Sequence, residues 1–285
     1  MASAGLRRLE NWSSTESGAT CDRFGRKLQA LTRLVDISEH WVLQKQYCSG
    51  RIMERREFIK ICAATAAIAA GNSFAVTNTE PRFYSRTRLV DYDGRPFKTS
   101  SLKVKQNYIF SYPFVGTPCF LLNLGKPTMS DAMLRTADGK SYRWKGGVGA
   151  DHSIVAYSAI CAHRLAYPTK QISFISYRGN VSSNIGHANV IHCCAEHSEY
   201  DPAQGAKVVS GPATQPLAAI ILEYNSNTDE LFAVGTLGGE LFNDFFSKYD
   251  FRLNLEYGSH VAQKPVMGDC VVTELTAFCQ QQVRC

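Results

Sequence analysis

The main body of this sequence lacks any surplus of positive charge. The first 60 residues hold 11 Lys/Arg against 7 Asp/Glu, and everything after them holds 20 against 18. A nearly neutral body without a basic stripe and interleaved aromatics does not suit a nucleic acid. Also missing are a Ser/His/Asp triad, a glycine loop with phosphate-binding spacing and a downstream mononuclear iron triad, so the chain does not read as a stand-alone catalyst. No internal repeat or low-complexity tract occurs. The Ala-rich run at 61–76 falls short of the ~20 apolar residues that a membrane-crossing helix needs. What is present is 285 residues at 45% hydrophobic content, enough to bury one sizeable core.

The stretch "MERREFIKICAATAAIAAGNSFA", Met53 to Ala75, carries paired Arg55 and Arg56, then Phe58 and Lys60, a weakly apolar run, and Ser73-Phe74-Ala75 as a small-x-small cleavage candidate. It resembles a twin-arginine export signal at 53–76. The cargo then crosses the membrane already folded and ends in the periplasm or on the periplasmic face of the inner membrane. An uncleaved 61–76 is a candidate membrane anchor. Because such signals sit at an N-terminus, residues 1–52 read as an extension without chemistry, and Met53 as the true start.

Ten cysteines in an exported chain invite a disulfide count. Cys21 and Cys48 lie in the extension and Cys62 in the signal, which leaves Cys119, Cys161, Cys193, Cys194, Cys270, Cys279 and Cys285. An odd number excludes a simple all-paired framework, so some of them do something else.

From Arg82 onward short runs rich in Val, Ile, Tyr and Phe alternate with turn residues: "RTRLVDY", "CFLLNL", "SYRW", "IVAYSAI", "QISFISY", "NVIHC", "AKVVS", "LAAIILEY" and "ELFAVGT" are bounded by "DGRP", "GKP", "ADGK", "RGN", "AQG" and "NSNTD". The spacing predicts an all-β sandwich or barrel-like domain over 82–285. "GGELFNDFFSKYD" is the exception: Leu241, Phe242, Phe245, Phe246 and Tyr249 recur at helical spacing and predict one short helix on the sheet.

Two boxes carry chemistry. Cys161-Ala162-His163 and Cys194-Ala195-Glu196-His197 each follow a β-rich run and precede a turn, so two loops can offer two cysteines and two histidines. Structural zinc is one occupant, although its loops usually supply like pairs of ligands. A [2Fe-2S] cluster explains the alternation better, with the cysteines on one iron and the histidines on the other. His152, His187, His192, His260 and Cys119 read as plain packing, and Cys193 as a small buried neighbour.

"CAH", "CAEH" and the following "YDPAQGAKVVSGPATQPL" resemble the Rieske iron-sulfur family, whose third element is a Gly-Pro-rich loop, here Ser210 to Leu217. The resemblance implies a Rieske-type antiparallel β-sandwich with a small cluster-binding subdomain whose loops span about 160–217. It further implies Cys161 and Cys194 on the buried iron, and His163 and His197 on the outer one. The tail "GPATQPLAAIILEYNSNTDELFAVG" looks like the small subunit of arsenite oxidase, which implies a one-electron carrier beside a molybdenum enzyme, quinol or cytochrome. The chain departs from the respiratory members in three ways. Ala166 and Glu196 stand where they carry a loop-to-loop disulfide, Ser198 and Tyr200 each follow the second histidine one residue early, and the 30 residues Arg164 to Cys193 are a long connection that predicts an extra hairpin.

Overall fold

A computed structural model describes residues 80–179 and 187–285. The extension at 1–52, the twin-arginine stretch at 53–76 and the tip of the expected hairpin lie outside the described residues. Among those described, no helix is long and apolar enough to cross a membrane.

The β reading holds through most of the chain. The strands are β1 (Arg82–Val90), β2 (Tyr108–Ser111), β3 (Pro118–Asn123), β4 (Ala132–Arg135), β5 (Ser141–Trp144), β6 (Ile154–Ser158), β7 (Ile172–Ser173), β8 (Ile175–Arg178), β9 (Val190–Cys193), β10 (Ser198–Asp201), β11 (Lys207–Ser210), β12 (Ala219–Asn225), β13 (Glu230–Leu237), β14 (Gly268–Val271), β15 (Thr273–Glu274) and β16 (Gln281–Gln282). Eight form a base sheet in the order β14-β1-β13-β12-β6-β3-β2-β15. Four form a smaller sheet, β11-β10-β9-β8, and β16-β7 and β4-β5 pair separately. Most neighbours run antiparallel, while β1 with β14 and β16 with β7 run parallel.

The small sheet is fastened to the base by polar contacts that satisfy strand edges. Asn107 beside β2 donates to the Tyr177 carbonyl at 2.9 Å and accepts from the Tyr177 N–H at 2.7 Å. Tyr157 on β6 donates to the Pro202 carbonyl at 2.7 Å. Between the sheets lies one apolar core that includes Tyr157, Ile175, Tyr177, Ile191 and Tyr200, and it also takes in Cys161 and Cys193.

The helical spacing at 242–249 produces α1 (Phe242–Tyr257), which continues past the predicted end through a non-helical residue at Tyr249. Its buried Phe242, Phe245, Phe246 and Leu253 pack with Ile160 and Tyr167, so the helix seats the segment on both sides of Cys161 to His163. Tyr167 meets Phe245 edge-on at 4.8 Å between ring centroids. A four-residue helix, α2 (Leu275–Phe278), leads into the C-terminal tail.

Candidate metal centre

The first box begins three residues after β6 ends, and its turn is closed by Cys161 N–H donating to the Ala166 carbonyl and Leu165 N–H donating to the Cys161 carbonyl, at 2.8 and 2.9 Å. The second box is the turn between β9 and β10, which pair Cys193 with Ser198 and Ile191 with Tyr200. Strand alternation sets what faces inward. Ile191 and Cys193 both belong to the core, and so does Tyr200 across the ladder. The following residue, Cys194, therefore turns away.

The structure thus brings Cys161 to Cys193, one residue before the cysteine that the Cys-x-x-His spacing selects. Both thiols are fully buried and within hydrogen-bonding reach of each other. Cys194 is disulfide-bonded to Cys285, with Cα atoms 5.7 Å apart, and a disulfide sulfur is not a thiolate ligand. Cys193, read from sequence as a small buried neighbour, is buried, and its thiol is the one that lies with that of Cys161.

Each buried sulfur is ringed in the same way. The backbone N–H groups of His163 and Arg164, two and three residues on, point to the Cys161 sulfur. Those of Ala195 and Glu196, again two and three residues on, point to the Cys193 sulfur. Tyr200 accepts from the Ala162 N–H at 3.1 Å and lies 3.3 Å from Cys161 Sγ. Burial, then the neighbouring Cys161 charge, push the Tyr200 pKa upward, so the phenol keeps its proton and donates it toward sulfur. The Cys193 thiol pulls Cys161 down to about 5, against burial and with help from Tyr200. Cys193 moves the other way, because it donates to Cys161 and is itself buried. A metal between the sulfurs would ionise both.

His163 is half-buried, and its Nδ1 is buried without a hydrogen-bond partner, as is the Ser198 hydroxyl. Unpartnered polar atoms beside paired thiols fit a group that would engage them. His197 is exposed at the turn with φ 58°, and its ring lies 5.8 Å from that of His192. Donor atoms of His192, His197 and Cys285 lie within 4.8 Å of one another. His192 is buried as expected, whereas His152, His187 and His260 are exposed, and His187 bonds Glu199 at 2.6 Å. Glu196 pairs with Arg164 at 3.3 Å across the two loops.

The Gly-Pro loop closes over the second box. Gly211 sits at φ 85°, where a Cβ would lie 2.4 Å from the His197 carbonyl oxygen and 2.6 Å from Ser198 Cα. Only glycine allows that approach.

No family model matches the chain. It is 29% identical over 139 residues to iodate reductase subunit IdrB of Pseudomonas sp. (strain SCT), which is 49% of this chain and 57% of that protein. The chain therefore spans little more than half the length of that curated relative. Among solved structures, the soluble domain of Rieske protein II (soxF) from Sulfolobus acidocaldarius is 28% identical, over 54% of this chain and 78% of the other, with a TM-score of 0.38. The chain is thus similar to a protein that is itself a Rieske protein. The quaternary ammonium Rieske monooxygenase CntA is more remote, at 15% identity over 61% of this chain and 38% of the other, with a TM-score of 0.27. The paired thiols, their N–H donors and the orphaned His163 Nδ1 fit a metal or metal–sulfur group held at this end of the fold.

Sequence reading had Cys193 buried but did not place its thiol with that of Cys161, and it left the partner of Cys285 open. The signal for the first was the alternation Ile191-x-Cys193 within "NVIHC". Nothing local marks Cys285, 91 residues from its partner.

Proposed function

We propose that this chain is a one-electron carrier subunit of an exported or membrane-associated oxidoreductase, holding a [2Fe-2S] cluster on Cys161, Cys193, His163 and His197. The observation that carries the reading is the matched pair of buried sulfurs, each facing two backbone N–H groups of its own turn. The set keeps the three other residues expected from sequence and exchanges Cys194 for Cys193.

When bound, the cluster accepts and releases one electron. The protein's part is to keep water from the sulfurs, to hold Tyr200 protonated against Cys161, and to leave the histidine end toward the surface. Neutral imidazoles in place of two thiolates raise the reduction potential, and N–H and O–H donors to sulfur raise it further.

A groove of about 430 Å³ beside the cluster end is lined by both boxes and by α1, including Arg164, Tyr167, Phe174, Glu196, Lys248 and Arg252. We assign it to the redox partner, in this reading the catalytic subunit of an oxidoreductase such as the iodate reductase to which IdrB belongs, or a quinol or cytochrome. Export by the twin-arginine route at 53–76 belongs to the same proposal, because a cluster assembled in the cytoplasm needs a path for folded protein. The test is direct. Protein matured in the cytoplasm should be coloured, contain two irons and two sulfides per chain, and show the EPR signal of a reduced cluster. A colourless protein with one zinc per chain would overturn the redox reading.

A further inference from the structure

We propose that the Cys194–Cys285 disulfide is the clamp of the second cluster-binding turn, so that a cysteine 91 residues along the chain does the work that a loop-to-loop disulfide does elsewhere. The proposal rests on the cluster reading above for its spectroscopic readouts alone.

Among the described residues no disulfide joins the two boxes, since Cys161 and Cys193 are free and Cys194 is bonded to Cys285. Their direct ionic contact, Arg164 with Glu196, has side chains 63% and 41% exposed, so solvent screens it. The second turn is instead tied to the tail. Gln280 N–H donates to the Lys170 carbonyl at 2.9 Å, and β16 then runs parallel to β7. Val283 N–H donates to the Ser173 carbonyl, also at 2.9 Å. This brings Cys285 to Cys194.

Arg178, on β8, braces both halves of the bridge. One guanidinium nitrogen donates to the Cys285 carbonyl at 2.6 Å and the other reaches Cys194 Sγ at 2.7 Å. On the strand side, Cys194 N–H donates to the Phe174 carbonyl at 2.6 Å. Cys194 is thus fixed through its backbone, its sulfur and its bonded partner, and it adjoins Cys193, whose sulfur faces the proposed cluster. A turn held this firmly keeps Cys193 and the N–H groups of Ala195 and Glu196 in place through a change of cluster charge.

Closing the bridge joins the two sulfurs and releases two protons and two electrons. By thiol–disulfide exchange a disulfide oxidant accepts them, its own S–S bond breaking to two thiols. Such a bond persists in an oxidising compartment, in keeping with the export proposed above.

The experiment compares the exported holoprotein with Cys194→Ser, Cys285→Ser and the double variant. A non-reducing peptide map of the wild type should join Cys194 to Cys285. All three variants should retain two irons per chain. They should bleach several-fold faster than wild type in denaturant, the double no faster than either single, and their EPR lines should broaden to the same extent. A phosphine reductant should hasten bleaching of the wild type and leave the Cys285→Ser rate unchanged. Bleaching rates and EPR lines equal to wild type in all three would overturn the clamp. So would alkylation of Cys285 in native protein, or loss of iron in Cys194→Ser alone. Wild-type protein without iron would overturn the cluster reading only, and the clamp is then judged by the peptide map and by a lower unfolding midpoint in Cys285→Ser.

Discussion

Tyr200→Phe removes one oxygen from a fully buried position and tests how the protein tunes its proposed cofactor. That oxygen donates toward Cys161 Sγ at 3.3 Å and accepts from the Ala162 N–H at 3.1 Å. A hydrogen bond to a charged acceptor contributes on the order of 2 kcal/mol. Reduction adds one negative charge to the cluster, so the bond strengthens on reduction, and the part that depends on redox state is roughly half of the whole to all of it. Since a tenfold change in equilibrium corresponds to about 59 mV for one electron, the predicted fall in potential is about 45 to 90 mV. The Ala162 N–H also loses its acceptor in a buried place, which costs about 1–3 kcal/mol of folding stability in either redox state. Protein-film voltammetry reads the first effect and denaturant unfolding reads the second. A stability loss with an unchanged potential would refute the claim that the hydroxyl addresses the cluster sulfur.

Further outcomes follow from other parts of the site. His163→Cys or His197→Cys, where a cluster still assembles, should give a markedly lower potential, because a thiolate adds negative charge beside the outer iron; an unchanged value would sink that ligand assignment. Gly211→Ala should cost at least ~2 kcal/mol, since a non-glycine residue is forced to positive φ against the His197 carbonyl, and unfolding should show it together with faster bleaching. Normal stability there would mean that the Gly-Pro loop does not press on the second turn. Replacing Arg55 and Arg56 by Lys should leave a folded, cluster-bearing protein in the cytoplasm and abolish export. Cluster-bearing protein found outside the inner membrane despite that change would refute the twin-arginine reading.

Most of the strands were legible because their Val, Ile, Tyr and Phe runs end at Gly, Pro, Asn or Asp turns. The strands that escaped notice are short or polar. β10 reads Ser-Glu-Tyr-Asp, and β14 begins Gly-Asp. Their place is decided by partners far along the chain rather than by local propensity. The helix was legible up to Tyr249. Beyond the kink Phe251 and Leu255 are exposed while Leu253 is buried, a pattern that gives no clear helical stripe.

The two loops of the site were legible from Cys/His spacing and the Gly-Pro run. The register within Cys193-Cys194 was not, because the Cys-x-x-His spacing favours Cys194 and only the strand's faces show which sulfur turns inward. β9 supplies that knowledge: Ile191 and Cys193 share the buried face, and Cys194 begins the turn. The role of Cys285 needed the tail to be placed along β7, a contact that no local pattern encodes.

The most direct test of the account is therefore a pair of substitutions one residue apart, read by iron content and visible absorbance. Cys193→Ser should be colourless and free of iron, because it removes one of the two inward sulfurs. Cys194→Ser should remain coloured with two irons per chain, its disulfide gone and its cluster retained. A coloured Cys193→Ser beside a colourless Cys194→Ser would contradict the account and return the second cysteine ligand to Cys194.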